Sequence, residues 1–225
     1  MRQDKQEAKR ISNGVFLMAL KLVDPSTLVA AEPVVRFAAE ARLPSRFGDF
    51  RVVAFDSVDG KEHAAILKGD VRDCEDVPLR VHSECFTGDV MGSFKCDCRD
   101  QLEAALRLIA DRERGVVLYL RQEGRGIGLA NKIRAYALQD AGMDTVEANH
   151  ALGFQDDERR YDVAADMVRE LGIRSIQLIT NNPKKLDGLR ALDVVVNGRI
   201  PLQMTPNPHN AQYLSTKKAK SGHML

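Results

Sequence analysis

Residues 116–128 read Val116-Val117-Leu118-Tyr119-Leu120-Arg121-Gln122-Glu123-Gly124-Arg125-Gly126-Ile127-Gly128. The first five are a short apolar run of the kind that forms a buried strand. A helical pattern follows from Leu129 to about Asp140 and is closed by Gly142, a residue suited to the position just past a helix end. Strand, glycine-rich turn and helix in succession mark an α/β chain. That layout also presents backbone N–H groups to phosphate. The spacing G-x-G-x-G is neither the dinucleotide fingerprint nor the P-loop, and glycine-rich turns also occur without a ligand. Arg125 within the turn strengthens the phosphate reading, because guanidinium pairs bidentately with phosphate oxygens.

Downstream, Thr145-Val146-Glu147-Ala148-Asn149-His150 and residues 152–161 are more polar than a simple turn needs. They read as a surface loop ahead of a helix over residues 163–171. Ser175-Ile176-Gln177-Leu178-Ile179-Thr180 reads as a second strand, ending in Asn181-Asn182-Pro183-Lys184-Lys185. Pro183 suits the first position of a helix and Asn182 its cap. Thr180 and Lys185 would then stand at the C-terminal edge of a strand, where open α/β sheets bind ligands.

Upstream lies Arg80-Val81-His82-Ser83-Glu84-Cys85-Phe86-Thr87-Gly88-Asp89, followed by Lys95-Cys96-Asp97-Cys98. Cys85, Cys96 and Cys98 are three soft ligands, the number a catalytic zinc takes while keeping one position for water. Three close cysteines are also compatible with buried apolar side chains, or with one disulfide and a free thiol. A cytosolic setting disfavours the disulfide, and in an extended C-x-C both side chains point to one face. The metal reading is therefore preferred. After Cys98 the residues Leu102, Ala105, Leu106 and Ile109 recur at helical spacing. Asp100 with Glu103 resembles a capping box, so the sulfur loop is expected to feed into a helix whose positive end favours a thiolate at Cys98. Gln101, in the first turn, faces either the site or solvent. Cys74 stands apart and reads as a plain surface or loop cysteine.

Further upstream, residues 50–55 and 63–68 read as strands joined through Asp59-Gly60, a hairpin signal. Residues 1–43 read as an N-terminal extension of unassigned role, in which residues 15–20 have strand character and Pro33 interrupts an alanine-rich stretch. The fold expected is α/β, with a mixed sheet, helices on both faces, and a single catalytic domain over residues 44–225.

Composition narrows the function. The chain has 225 residues, 44% hydrophobic and 29% charged, with net charge +1. That balance gives no global field for a nucleic acid polymer or a membrane. The short basic run Lys217-Lys218-Ala219-Lys220 reads as a solvated tail. Trp is absent and aromatics are 5%, against a stacking platform for single strands. No apolar stretch approaches bilayer length. The charged start, Met1-Arg2-Gln3-Asp4-Lys5-Gln6-Glu7, has no signal-peptide core, so a cytoplasmic protein is expected.

Taken in order, several motifs resemble GTP cyclohydrolase II, the entry enzyme of riboflavin synthesis. They are residues 80–85 with Thr87-Gly88-Asp89, Cys96-Asp97-Cys98, residues 121–125, Asn131-Lys132-Ile133-Arg134-Ala135-Tyr136, Asp157-Glu158-Arg159 and residues 180–185. The resemblance covers roughly residues 43 to 225, and several motifs in sequence are far more specific than one. It implies an enzyme that opens the imidazole ring of GTP, releases formate and diphosphate, and leaves a diaminopyrimidinone carrying phosphoribosylamine. It implies one zinc per subunit on Cys85, Cys96 and Cys98, magnesium with the triphosphate, and a homodimer.

The resemblance further implies GTP contacts at Arg80, Val81, His82, Ser83, Glu84, Gln101, Glu123, Gly124, Arg125, Thr145, Thr180 and Lys185. Tyr136 matches an active-site tyrosine, and Asp157 and Arg159 match a proton acceptor and a nucleophile in diphosphate release. A guanidinium is an unusual nucleophile, and an electrostatic role for Arg159 is the conservative alternative. Arg99 departs from the glycine common after C-x-C in this family. Two rivals are a nucleobase deaminase and a catalytically impaired zinc- and nucleotide-binding paralogue with a regulatory role. His82-Ser83-Glu84 matches the deaminase H-x-E, but P-C-x-x-C is missing. Asp157, Arg159 and Tyr136 speak for the enzyme over the paralogue.

Overall fold

Seven strands and five helices alternate in the computed structural model, which describes residues 32–155, 157–204 and 208. Three strands come first: β1 (Val35–Ser45), β2 (Gly48–Ser57) and β3 (Glu62–Lys68). Then come β4 (Val77–Ser83), α1 (Cys98–Ala110), β5 (Gly115–Leu120), α2 (Leu129–Asp140) and α3 (Thr145–Ala151). The chain continues through α4 (Asp162–Glu170), β6 (Ile176–Ile179), α5 (Pro183–Arg190) and β7 (Val196–Ile200). The strands form one mixed sheet in the order β1-β2-β3-β5-β4-β6-β7. The first three strands and β5 pair antiparallel, whereas β5, β4, β6 and β7 run parallel. The expected α/β class and mixed sheet are therefore present.

Side-chain alternation divides the sheet into two faces. On one, Val77, Leu79 and Val81 of β4 and Val116, Leu118 and Leu120 of β5 pack with Val163, Ala164, Met167 and Val168 of α4. On the other, Val117 of β5, Ile179 of β6 and Phe50 of β2 pack with Ala105 and Ile109 of α1. Leu79 and Leu118 are fully buried, and each such side chain gains about 1.5–3 kcal/mol from leaving water. The α1 face of β4 carries Arg80 and His82, both buried. One strand thus gives alternate residues to the core and to a polar site.

The structure departs from the sequence reading in four places. β1 begins at Val35, so residues 35–43, read as part of the extension, lie in the sheet. Helix α1 begins at Cys98 with Asp97 in the cap position, so Asp100 lies inside the first turn. Residues 145–151 form α3 instead of a loop, because Asp144 and Glu147 close a capping box. β7 lies outside the strands read from the sequence, its residues being mostly exposed or half-buried. The strand character read at residues 15–20 and the basic run at 217–220 lie outside the described residues. Among the described residues no helix is long and apolar enough to cross a membrane.

Candidate active site

Three parallel neighbours, β5, β4 and β6, end on the same edge of the sheet, and their following loops build one cleft. β4 leads into Glu84 and Cys85, β5 into Glu123–Arg125, and β6 into Thr180–Lys185. Every site residue expected from the sequence lines this cleft except Val81. The Val81 side chain is in the core, while its carbonyl oxygen accepts a hydrogen bond from Lys185 Nζ at 2.7 Å. Thr145 reaches the cleft from the start of α3, and Gln101 from the first turns of α1.

The sulfurs of Cys85, Cys96 and Cys98 all lie within 4.8 Å of one another, and those of Cys85 and Cys96 are 3.7 Å apart. Two sulfurs on one tetrahedral zinc, each at about 2.3 Å, would be about 3.8 Å apart. The trio therefore fits a soft divalent ion. A glycine makes the cluster possible: a Cβ at Gly88 would come 2.8 Å from Cys96 Sγ and 3.1 Å from Cys85 Sγ. Arg99 does not enter the cleft. Its Nε bonds Glu103 at 3.3 Å and its guanidinium lies over Gly92.

The three sulfurs influence one another's protonation, and the nearest cation lies at Cys85. Hydrogen bonds from the Cys96 and Cys98 thiols, with the Lys132 ammonium, hold the Cys85 thiol far below its ordinary range despite burial. The hydrogen bond to Cys85 pushes Cys96 up to about 11, and Cys98 is raised well above its usual value by both sulfurs and by burial. Lys132 Nζ sits 3.0 Å from Cys85 Sγ.

Three carboxylates clip the sulfur loop in place. Asp89 accepts from the Cys85 backbone N–H at 3.0 Å and from the Tyr119 hydroxyl at 2.9 Å. His82 Nε2 lies 3.1 Å from both Asp89 oxygens. Burial lowers the His82 pKa even against Asp89, so the neutral ring donates from Nε2. Glu123 accepts from the Phe86 N–H at 2.6 Å, from the Gly124 N–H at 2.8 Å and from Lys132 Nζ at 2.8 Å. It therefore joins the sulfur loop, the glycine-rich turn and α2. Asp97 accepts from Gln101 Nε2, and Gln101 in turn accepts from Arg80 Nη2, both at 2.5 Å. Lys132, Asp89 and Asp97 were given no role from sequence. Lys132 stands one helical turn before Tyr136, a spacing that places both on one face.

Tyr136 is held close to the sulfurs through Thr87, whose hydroxyl is 3.5 Å from the phenol oxygen and 3.7 Å from Cys85 Sγ. Burial pushes the Tyr136 pKa up to about 12, so its phenol keeps its proton and serves as a donor near neutral pH. The cleft also carries basic side chains. Arg80 is buried, which lowers its pKa to about 10 and leaves it charged. Arg125 has φ 64 in a turn where Gly124 has the same φ, a left-handed conformation that costs a non-glycine residue energy and clusters at functional sites. The Glu158 N–H donates to the Arg125 carbonyl at 3.0 Å, which brings Asp157 and Arg159 beside the turn. Arg159 holds Asp157 bidentately, with Nε 2.7 Å from Oδ1 and Nη2 on Oδ2. Burial alone would raise the Asp157 pKa, but the paired guanidinium wins and holds it below the ordinary range.

A soft-metal triad together with guanidinium and ammonium groups in one cleft suits a polyanionic substrate. Comparisons with known proteins agree with that chemistry. The sequence profile of GTP cyclohydrolase II matches residues 36–201. A GTP cyclohydrolase-2 from Picrophilus torridus is 52% identical over 192 residues, covering 85% of this chain and 100% of the relative. One from Azotobacter vinelandii is 56% identical over 192 residues, covering 85% of this chain and 92% of the relative. A riboflavin biosynthesis protein RibBA from Endomicrobium trichonymphae is 54% identical over 184 residues, 81% of this chain but 46% of that longer protein. With the profile spanning most of the chain and the first relative matched along its whole length, this chain belongs to the GTP cyclohydrolase II family.

Proposed function

We propose that this hydrolase opens the imidazole ring of GTP in riboflavin biosynthesis, releasing formate and diphosphate and leaving a diaminopyrimidinone carrying phosphoribosylamine. The observation that carries the reading is the sulfur triad and the basic side chains lining one cleft. Cys85, Cys96 and Cys98 would hold one zinc ion per subunit. Bound there, the ion would act as a Lewis acid that lowers the pKa of water.

The protein's own groups do the rest. Arg80, Arg125 and Lys185 balance triphosphate charge, with magnesium on the phosphates. The protonated Tyr136 phenol donates a hydrogen bond beside the sulfurs, where the departing amine of the ring needs one. Glu84, Gln101 and Thr180 offer polar groups to guanine and ribose. The ionised Asp157 orients the Arg159 guanidinium, and Arg159 stabilises charge on the transferring phosphoryl group. The electrostatic role suits Arg159 better than attack, because its Nε and Nη2 are already turned to Asp157. A cytoplasmic homodimer is part of the same reading.

Incubating the purified protein with GTP and magnesium tests the proposal. Formate, diphosphate and the pyrimidine should appear together. Ammonia without formate would mark a deaminase instead, and unchanged GTP would mark a binding paralogue.

A further inference from the structure

Lys132 is the one lysine that touches a sulfur of the cluster among the described residues. Its side chain is only 10% exposed, and its stem passes so close to Gly124 that a Cβ there would come 3.1 Å from Lys132 Cβ. Its Nζ lies 3.0 Å from Cys85 Sγ and 2.8 Å from Glu123 Oε1. A buried ammonium needs such partners, because desolvation otherwise outweighs what burial gains. Glu123 is itself met by the Phe86 and Gly124 N–H groups, so the lysine is not required to satisfy that carboxylate alone. Its approach to sulfur therefore calls for a separate reason.

Charge supplies one. Three thiolates around a divalent ion leave one net negative charge, and Lys132, shared with Glu123, puts its ammonium against one of those sulfurs. We propose that Lys132 is a positioning residue of the metal centre: its N–H···S bond to Cys85 draws electron density from that sulfur and makes the bound ion a stronger Lewis acid. Outer partners of metal ligands tune affinity and reactivity in this way. The inference rests on the metal reading of Cys85, Cys96 and Cys98, and it gives Lys132 a role exerted through Cys85.

The test uses cobalt(II) in the full chain and reads two things other than turnover. One is the wavelength of the sulfur-to-cobalt charge-transfer band, and the other is cobalt affinity by chelator competition. Lys132→Met should weaken cobalt binding about 10–100-fold and move the band to longer wavelength, because an unbonded thiolate donates more strongly. Lys132→Gln, which keeps a donor but not the charge, should fall between Met and wild type. Lys132→Arg should keep the wild-type band position. Far-UV circular dichroism checks folding, and the Gln variant carries the comparison if the Met variant does not fold. Wild-type band and affinity in a folded neutral variant would remove Lys132 from the centre. Failure of wild type itself to take cobalt would overturn the metal reading instead, so the two failures are distinguishable.

Discussion

The two faces of β4 share one backbone and divide the labour of the protein. Val77, Leu79 and Val81 point into an apolar core against α4. Arg80 and His82 point the other way, into a network of Gln101, Asp97 and Asp89. The first face contributes stability and tolerates no cavity. The second is held by charge-assisted hydrogen bonds to the sulfur loop at Asp89 and to the start of α1 at Asp97 and Gln101. A strand of seven residues can therefore fix its chemistry in space only because its other side is packed. Substitutions should separate the two faces by what they abolish.

The largest effect belongs to the sulfur triad. Cys96→Ser should eliminate formate release and deplete bound metal, measured by formate assay and metal analysis on the same sample. Full turnover from metal-free material would break the distinction between the faces at once. Next is Arg159→Ala, expected to lower diphosphate release by about 10²–10³, the range for loss of one preorganised charge-stabilising donor, with metal content unchanged. An unaltered diphosphate yield would take Arg159 out of the mechanism. On the packed face, Leu79→Ala should cost about 2–5 kcal/mol in denaturant unfolding, while turnover per folded molecule stays near wild type. A loss of turnover in that variant beyond its loss of folded protein would show that the faces are coupled. The smallest effect is at the rim, where Asn182 caps α5 by accepting from the Lys184 N–H at 3.0 Å. Asn182→Ala should cost about 1 kcal/mol and be felt in substrate affinity before stability, since Lys185 rides on that helix.

The same division explains what could be read from sequence. Apolar runs at 116–120 and 175–180 and the hairpin at 59–60 were legible because their strands are buried or punctuated by turn residues. β1 was not: Val35, Phe37, Ala39, Ala41 and Leu43 do alternate with Arg36, Glu40 and Arg42, but the stretch is alanine-rich, and ten of its eleven residues are exposed. α3 was hidden by its polarity, although Asp144 and Glu147 already stood at capping-box spacing. In the site, residues belonging to motifs were found, and those acting behind them were not. Asp89 and Lys132 were visible within quoted motifs, yet their roles depend on contacts across 30 and 47 positions of chain. The helix start at Cys98 was legible, whereas the ammonium at Cys85 was not, because it arrives from a distant helix.

The parallel run of β5, β4 and β6 has a practical side. With all the chemistry gathered where these strands finish, the turns where they begin are left to other uses. The turn before β5 holds Asp111, Arg112 and Glu113, all exposed, and six strand residues at about 3.3 Å each put roughly 20 Å between it and the cleft. An epitope or fluorophore-bearing peptide grafted there would give an internal handle for immobilising the enzyme, leaving both chain ends untouched.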